Sequence, residues 1–449
     1  MTCMSGYNFR KGQHVWKRGR NSLIGCANLR CRGEKRRSCA FAAPHMWKEL
    51  AADAPSQGEP SMKTVFRGAR GVVLMLSLLI VTGAVGDAAD TASINEEALR
   101  RSVGQMIVVG FYGINNTDPG FHHVMEDLER GLIGGVLFLA RNIQSKLDLE
   151  TMVREVRQCN CSFTPLIAVD EEGGIIERLG ERYGFRHTPS PADIGRSSEE
   201  NARSEYERLA QKLSDIGFNM NLAPVVDLNT NPTNPIIGSL DRSFSRDPII
   251  VSRNAQIFIE EHHKKGILTA IKHFPGHGSS STDSHESIAD VELSWSPEEL
   301  IPYQYLIGAR LVNSIMVGHL ANTPKWGGVA TQDGSSAINQ ILRTDLKFDG
   351  VVLSDDLSMD AIRSKTSSFP DVIRSAVKAG VDIIIVSRLN DDDEGLDTGL
   401  YVNSAILEAI TSGEIERSSV EKSEQRIKSF KSSLRNNLSP EQSPKRVRK

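Results

Sequence analysis

The chain has 449 residues, of which 39% are hydrophobic and 24% are charged. This composition is typical of a globular protein that is long enough for one large domain with additional segments. The formal net charge is only -3, so the charge balance does not favour binding to nucleic acid or to an acidic membrane surface. No nucleic-acid partner is expected.

The first 61 residues differ in composition from the rest of the chain. They are rich in Arg and Lys and show neither a helical nor a strand-like hydrophobic period. They also hold four of the six cysteines, Cys3, Cys26, Cys31 and Cys39. The spacing of these cysteines matches no common zinc-binding pattern. We expect Met62 to be the natural start and interpret residues 1–61 as a disordered or non-native N-terminal extension.

Residues 62–88 have the order of a secretory signal peptide. Met62 is followed by three basic residues, by the apolar run 71–85 and by small residues. The run is shorter than the ~20 residues that a membrane-spanning helix needs. We therefore expect the protein to be exported and the signal peptide to be cleaved. The mature protein would be periplasmic or secreted, with no stable membrane insertion after cleavage. A protein anchored in the membrane by the uncleaved signal is the alternative.

Between residues 89 and 430, short apolar runs alternate with amphipathic stretches, and this part is expected to form the catalytic domain. Eight runs are almost continuously apolar, as is typical of strands buried on both faces: 106–111, 134–139, 166–169, 220–227, 267–274, 315–320, 350–354 and 381–386. Helical periodicity is seen in 147–157, 201–216, 254–265, 337–346 and 370–379. The alternation predicts an α/β fold, either a single (β/α)8 barrel of the TIM type or a doubly wound open sheet.

Two further expectations concern the end of the chain and its remaining cysteines. Residues 431–449 are polar and basic, and we expect them to form a disordered tail. Cys159 and Cys161 lie within the predicted domain. A disulfide across one intervening residue is strained, so we expect two free thiols.

Polar side chains at the ends of the predicted strands favour the barrel over the open sheet. They are Asp170, Asp227, Lys272, His273, His319, Asp355 and Asp356. Each lies at, or directly after, the C-terminal end of an apolar run. This is the face on which (β/α)8 barrels build their active sites.

The segment Lys272-His273-Phe274-Pro275-Gly276-His277-Gly278, followed by Asp283-Ser284-His285, is typical of a mobile loop that carries chemistry. Asp283 and His285 are two positions apart, so their side chains point the same way in an extended segment. The carboxylate can then bind one imidazole nitrogen, which leaves the other nitrogen free to move a proton.

A zinc site is the alternative interpretation of this loop. Its ligands would be His273, His277, Asp283 and His285. Pro275 and Gly276 prevent a helix between the first two histidines, so the usual presentation of two histidines on one helical face fails. We therefore expect no metal.

Five motifs follow one another between residues 95 and 430. They are Asp170-Glu171-Glu172-Gly173-Gly174 with Arg178; Asn221-Leu222-Ala223-Pro224-Val225-Val226-Asp227; Asn234-Pro235-Ile236-Ile237-Gly238 with Asp241-Arg242-Ser243-Phe244; the loop described above; and Ser354-Asp355-Asp356-Leu357-Ser358-Met359. The ordered set resembles glycoside hydrolase family 3, specifically its single-domain bacterial β-N-acetylglucosaminidases. The resemblance implies a (β/α)8 barrel without a cofactor that hydrolyses glycosidic bonds with retention, through a covalent glycosyl-enzyme.

The resemblance also implies a role for each matching residue. Asp355 matches the nucleophile, and Asp356 is left a capping role because adjacent strand residues face opposite sides. His285 matches the acid/base, and Asp283 matches its orienting partner. The residues that match the sugar-binding set are Asp170, Arg178, Arg242, Lys272 and His273. For Arg242, charged neighbours in the sequence leave a surface salt-bridging role open as well.

Three residues depart from the family pattern. Glu171 stands where Gln is usual, Ile175 stands where Arg is common, and Arg388 after the eighth strand is unusual. These departures leave the core chemistry in place. They leave open both the leaving-group side and the exact identity of the substrate.

The function implied by the resemblance is that of an exo-acting β-N-acetylglucosaminidase, expected to be a monomer. Its substrate would be a carbohydrate with a terminal β-linked GlcNAc, from peptidoglycan fragments or chito-oligosaccharides. A phosphorylase, a transglycosylase or a β-glucosidase on the same scaffold are alternatives. A catalytically inactive sugar-binding protein is another, although Asp355, Asp283 and His285 together argue against it.

Overall fold

Eight parallel strands form the framework of the fold, and each overlaps one of the predicted apolar runs. Their bounds are Ile107–Gly110 (β1), Gly135–Phe138 (β2), Leu166–Val169 (β3), Met220–Asn221 (β4), Leu268–Thr269 with Ile271–Phe274 (β5), Ser314–Val317 (β6), Val351–Asp356 (β7) and Ile383–Val386 (β8). Apart from the last two residues of β7, every strand residue is buried. Burial on both faces explains why these runs are apolar without alternation.

The computed structural model describes residues 95–284, 287–363, 368–389 and 397–436. All of them belong to one unit, Val73–Lys449. The predicted extension 1–61 and the predicted signal peptide 62–88 lie outside the described residues. So do residues 437–449 of the predicted tail and the proposed acid/base, His285.

The strands close into a barrel. Neighbours are hydrogen-bonded in the order β4-β3-β2-β1-β8-β7-β6, and the two pieces of β5 border the two ends of this series. A parallel bridge between Val225 and Lys272, with a 2.8 Å hydrogen bond from the Val226 amide to the Lys272 carbonyl, extends the β4–β5 contact. An open doubly wound sheet has two free edges, so closure excludes it. The prediction of a (β/α)8 barrel is confirmed.

Helices connect the strands and cover the outside of the barrel. The α-helices are 95–104 (α1), Pro119–Arg130 (α2), Lys146–Arg157 (α3), Pro191–Arg196 (α4), Glu199–Ile216 (α5), Pro248–Lys264 (α6), Ile301–Gly308 (α7), Thr323–Trp326 (α8), Asp360–Arg363 (α9), Phe369–Ala379 (α10), Thr398–Thr411 (α11) and Arg417–Asn436 (α12). Single turns of 3-10 helix occur at Ala140–Asn142, Glu181–Tyr183, Gly238–Leu240 and Pro297–Leu300. Each predicted helical stretch overlaps a helix, although Ala337–Asp345 is a π-helix.

Serine residues fix where three of the longer helices begin. Ser145, Ser198 and Ser368 accept hydrogen bonds from the amide three positions later, at the starts of α3, α5 and α10. Such caps satisfy an amide that has no partner within its own helix. The apolar faces of these helices then turn toward the barrel, which explains their helical periodicity.

Short strands at the C-terminal end of the barrel shape its rim. Glu171–Gly173 and Ile176–Glu177 form an antiparallel hairpin directly after β3. Gly173 and Gly174 lie at the turn with φ of 94° and 63°, a conformation that favours glycine. A second small sheet joins Ala289–Asp290, Leu320–Asn322 and Gly328–Val329. These additions place motif residues beside the ends of the strands.

Two sequence expectations about the periphery are wrong. Cys159 and Cys161 form a disulfide, and their Cα atoms are 5.3 Å apart, a separation that a disulfide spans. The tail does not begin at residue 431, because α12 continues to Asn436 and buries Lys431 and Leu434. No helix within the described ranges is long and apolar enough to cross a bilayer.

Candidate active site

Asp355 lies at the C-terminal end of β7, and its side chain is an ionised carboxylate. The Asp356 amide donates a 2.9 Å hydrogen bond to Asp355 Oδ1. Burial alone raises the pKa of Asp355, but the neighbouring His273 and His319 side chains and this hydrogen bond outweigh burial and bring the pKa to about 2. At neutral pH the group is therefore a negatively charged nucleophile candidate.

Asp356 has a structural role, as expected from its neighbour's match to the nucleophile. Its Oδ1 accepts hydrogen bonds from the Ser358 amide (2.9 Å), the Ser358 hydroxyl (2.6 Å) and the Ser387 amide (3.0 Å). These contacts tie the turn after β7 to the end of β8. A carboxylate oxygen that accepts three such bonds is held in place and is not presented to a substrate.

His319 supports the same strand end from β6 and the turn that follows it. It is fully buried, and its Nε2 donates to the Asp356 carbonyl at 3.1 Å. Its Nδ1 lies 2.8 Å from the Thr331 hydroxyl. Burial lowers the pKa of His319 despite the opposing charge of Asp355, so the imidazole is neutral and the hydroxyl donates to Nδ1. Sequence reasoning noted His319 only as a strand-end residue.

Lys272 brings together two carboxylates from the segment after β3. Its Nζ lies 2.8 Å from Asp170 Oδ1 and 2.8 Å from Glu172 Oε1. Burial lowers the pKa of Lys272, but the charges of Asp170 and Glu172 outweigh burial and raise the pKa above its ordinary value. The ammonium group therefore stays charged. Asp170 keeps 17% of its side chain exposed, so this pair faces the open mouth of the barrel.

Arg242 is buried. The alternative that it forms a salt bridge on the surface is therefore wrong. Its Nε and Nη2 donate to the two carboxylate oxygens of Glu172, both at 2.8 Å. Its Nη1 donates to the Ile236 carbonyl, also at 2.8 Å. Burial raises the pKa of Glu172, but Arg242 and Lys272 outweigh burial and hold that pKa well below its usual range. The reason is that two cationic side chains contact the Glu172 carboxylate.

His273 is oriented by Asp227, which lies at the end of the segment that follows β4. The His273 Nδ1 lies 2.7 Å from Asp227 Oδ2, and the His273 amide donates to Oδ1 at 3.1 Å. The His277 amide donates to the same Oδ1 at 2.8 Å. Burial raises the pKa of Asp227, but His273 outweighs it and lowers that pKa. An ionised Asp227 can only accept, so Nδ1 carries a proton and Nε2 is the nitrogen left for a ligand.

Glu171 departs from the family pattern, and its carboxylate has hydrogen-bond and ion-pair partners inside this fold. Its Oε2 accepts from the amides of Arg178 (2.7 Å) and Leu179 (3.1 Å). Its Oε1 lies 2.8 Å from Lys212 Nζ on α5. Burial raises the pKa of Glu171 against these contacts. The carboxylate thus fixes the hairpin that carries Arg178, whose buried Nε has no hydrogen-bond partner among the described residues.

The predicted acid/base pair is described only in part. Asp283 is half-buried, and its carbonyl accepts from the Ser287 amide at 3.1 Å. His285 lies outside the described residues, so its pairing with Asp283 stays a prediction. Within the ranges that are described, no three His, Cys, Asp or Glu side chains are grouped to hold a metal ion.

Sequence reasoning missed the buried acids that connect the site. Glu172 joins Lys272 to Arg242, and Asp227 orients His273. A signal for Glu172 was present, because it is two positions after Asp170 and so shares its face in an extended segment. Asp227 was predicted only as a strand-end residue without a role. Its neighbours in the sequence do not indicate that its partner is His273, 46 positions later.

Comparison with known proteins gives a consistent family relationship. The model of the Glycosyl hydrolase family 3 N terminal domain matches residues 98–430. The Beta-hexosaminidase of Tolumonas auensis is 32% identical over 268 residues, which are 58% of this chain and 77% of that protein. The Beta-hexosaminidase of Photobacterium profundum is 30% identical over 287 residues, which are 64% of this chain and 84% of that protein.

Solved structures show the same relationship. A glycoside hydrolase family 3 beta-N-acetylglucosaminidase from Paenibacillus sp. str. FPU-7 is 29% identical with a TM-score of 0.67, over 76% of this chain and 63% of that chain. A glycosyl hydrolase of the GH3 family from Mycobacterium smegmatis is 26% identical with a TM-score of 0.63, over 74% of this chain and 96% of that chain. The present chain thus spans less than two thirds of the Paenibacillus structure and nearly all of the mycobacterial one.

Proposed function

Because this chain belongs to glycosyl hydrolase family 3 and is a glycosidase, we propose that it is a retaining exo-β-N-acetylhexosaminidase. The observation that carries the proposal is the ionised Asp355 carboxylate at the mouth of the barrel, with the Lys272–Asp170 pair and His273 around it. A fixed carboxylate on a rigid strand end is what attack on an anomeric carbon needs. The proposed substrate is a carbohydrate with a terminal β-linked GlcNAc.

In the first step, Asp355 attacks the anomeric carbon and the bond to the leaving oxygen breaks. We assign the proton for that oxygen to His285, oriented by Asp283. The products are a covalent glycosyl ester on Asp355 and the released alcohol or sugar. The low pKa of Asp355 supports this step, because the carboxylate is ionised at the pH at which an imidazole with a pKa of about 6.5 can still donate a proton.

In the second step, His285 takes a proton from water, and the resulting hydroxide oxygen attacks the anomeric carbon. The ester bond to Asp355 breaks and the carboxylate is restored. Two inversions at one carbon give net retention of the β configuration. His285 ends protonated, as it began. The same residue therefore acts first as acid and then as base.

The sugar itself would be held by the charged residues around the nucleophile. Asp170 can accept from sugar hydroxyls, and the ammonium group of Lys272 and the Nε2 of His273 can contact the same ring. Arg178 offers a buried Nε that has no hydrogen-bond partner among the described residues. Peptidoglycan fragments and chito-oligosaccharides both present a terminal β-linked GlcNAc. The names of the relatives support the GlcNAc preference and not the choice between these two sources.

Export is proposed as well. The sequence of residues 62–88 has the order of a signal peptide. The Cys159–Cys161 disulfide supports the same location, since disulfides persist in oxidising compartments and are rare in the cytoplasm. A periplasmic or secreted enzyme would meet its GlcNAc-containing substrate outside the cell membrane.

A panel of 4-nitrophenyl β-glycosides of GlcNAc, glucose and xylose tests the proposal, with and without inorganic phosphate. We expect release of 4-nitrophenol from the GlcNAc glycoside at the highest kcat/KM and a rate independent of phosphate. Faster turnover of the glucoside would indicate a β-glucosidase. A sugar 1-phosphate as product would indicate a phosphorylase, and no turnover of any glycoside would indicate an inactive sugar-binding protein.

A further inference from the structure

The loop between β5 and the proposed acid/base pair is fastened to a segment that has no assigned role. The Trp295 indole Nε1 donates to the Pro275 carbonyl at 3.1 Å. Four residues further along, the Ser279 amide donates to Glu299 Oε1 at 3.0 Å. Both fastening side chains come from the stretch before α7. The loop backbone is therefore held at two points by one stretch of the chain.

Gly276 shows how closely Glu299 lies against this loop. Its φ of 121° is a conformation that side chains rarely adopt. A Cβ added to it would lie 2.5 Å from the Glu299 Cβ and 2.7 Å from Glu299 Oε2. The Glu299 side chain thus fills the space that a larger residue at position 276 would need. The Glu299 atoms nearest to this position are Cβ, Oε2 and Cδ.

The loop is also held by asparagines from the segment after β4. Asn234 Nδ2 donates to the His277 carbonyl at 2.8 Å, and Asn231 Nδ2 donates to the Ser280 carbonyl at 2.9 Å. The chain from Pro275 to Ser280 is therefore held by hydrogen bonds from two separate segments. Beyond Ser280 it continues to Asp283. The position of this clamped segment sets where the following residues begin.

We propose that Glu299 is a positioning residue that holds the segment Pro275–Ser280 against the barrel, and thereby places the residues that supply the proton to the leaving group. This inference rests on the proposed function of Asp283 and His285. Glu299 touches no reacting atom. Its effect is transmitted by the Ser279 amide and the Gly276 backbone.

The surroundings of Glu299 support a neutral, protonated carboxyl group on this side chain. Glu299 is 1% exposed, and its Oε2 has no hydrogen-bond partner among the described residues. Burial and the charge of Asp227 raise its pKa from 4.5 to about 8. The other titratable groups around Glu299 are the buried Tyr303 and the two histidines His273 and His277, whose rings contact each other edge to face. Burial lowers the pKa of His277 to about 4, so it does not supply a cation.

The sign of the pH dependence follows from the raised pKa. The clamped form binds one more proton than an opened or unfolded form, in which Glu299 ionises at its ordinary value. The stabilisation from the protonated clamp is fully present below pH 4.5. It is lost progressively as the pH rises, and the loss is complete once the pH has passed through about 8. A Gln at this position has no proton to lose.

The test compares Glu299→Ala and Glu299→Gln with the same changes at Glu298, an exposed carboxylate in the same segment. Each variant is assayed with an activated substrate, 2,4-dinitrophenyl β-GlcNAc, and with a poor leaving group, chitobiose. For Glu299→Ala we expect kcat/KM on chitobiose to fall about 10- to 100-fold, since correct general-acid placement contributes roughly 10²- to 10⁴-fold. On the activated glycoside we expect a loss of at most about 3-fold.

Glu299→Gln should rescue both rates at pH 6 and change the pH dependence of stability. We expect its Tm to rise relative to that of Glu298→Gln as the pH increases from about 5 to about 8, and the difference to stay constant above that. If Glu299→Ala does not fold, Trp295→Phe removes the other fastening hydrogen bond while keeping a ring against Trp326. It should show the same leaving-group dependence to a smaller extent.

Two results would overturn the inference. Equal losses on both substrates in Glu299→Ala, or in Trp295→Phe if the alanine variant is unfolded, would show that the clamp does not act through proton donation. A constant Tm difference between the two Gln variants from pH 5 to 8 would show that Glu299 is not protonated in the clamp. Failure of the proposed function is seen separately, because His285→Ala would then slow both substrates equally whatever Glu299 does.

Discussion

Replacing Arg242 by Met tests whether the buried charges behind the proposed sugar-binding residues act as one network. Arg242 donates three hydrogen bonds of 2.8 Å, two to Glu172 and one to the Ile236 carbonyl. Met fills much of the same volume but donates none. Glu172 would keep only its contact with the Lys272 ammonium group, and Asp170 contacts the same ammonium group. The carboxylate would then be buried with half of its neutralising charge removed.

The expected loss of stability can be estimated from this arrangement. Removing one partner of a buried ion pair costs about 3–5 kcal/mol. Unfolding entropy is about 2.1 cal/mol/K per residue, so the 333 residues from 98 to 430 give roughly 0.7 kcal/mol/K. Dividing the first figure by the second predicts that Tm falls by about 4–7 °C in Arg242→Met. This fall is large enough to measure in a single thermal scan.

Differential scanning calorimetry with two matched variants checks the interpretation. Arg246→Met removes an exposed arginine four positions away and should change Tm by less than about 1 °C. The double variant Glu172→Met/Arg242→Met replaces both charges with apolar groups and should recover most of the lost stability. A fall for Arg242→Met no larger than that for Arg246→Met would refute the network. So would a double variant that is less stable than the single one.

Three further predictions concern catalysis and the N-terminus. Asp355→Ala should abolish turnover with little change in Tm, and intact-mass trapping with a fluorosugar should label Asp355; a label on Asp356 would overturn the assignment. His285→Ala should slow poor leaving groups far more than activated aryl glycosides, Asp283→Asn should act more mildly in the same direction, and equal losses would reject the acid/base role. A chain starting at Asp90 should keep full activity, and N-terminal sequencing of the exported protein should begin between residues 86 and 91; an inactive truncation or a mature chain that retains residue 1 would contradict this.

The barrel could be predicted because its strands carry an unusually clear signal. Each strand is buried on both faces, so a run such as Ile383–Val386 is apolar at every position. Reactive polar residues such as Asp170 and Asp355 follow the apolar runs directly, which marks the face of the barrel that holds the site. The choice between barrel and open sheet could not be made from periodicity. It depends on the pairing of β5 with both β4 and β6, which connects segments far apart in the sequence.

The contacts of the site were harder to predict because they join residues from different strands. Glu172 and Arg242 are 70 positions apart, and Asp170 and Lys272 are 102 apart. A sequence shows that these residues are charged and lie near strand ends, but not which charge neutralises which. The Cys159–Cys161 disulfide was missed for a related reason. Its formation depends on the turn between α3 and β3, and spacing alone argued against it.

The hydrogen bonds and exposure of the predicted sugar-binding residues divide them into two kinds. Each of the three guanidinium nitrogens of Arg242 already donates a hydrogen bond within the protein, and the residue is 6% exposed. It is therefore suited to fix Glu172, which in turn holds the Lys272 ammonium. Asp170 instead keeps part of its side chain exposed beside that ammonium. For the proposed function, Asp170 and Lys272 are therefore better placed than Arg242 to contact the sugar, and Arg242 would keep their geometry and charge constant before any substrate arrives.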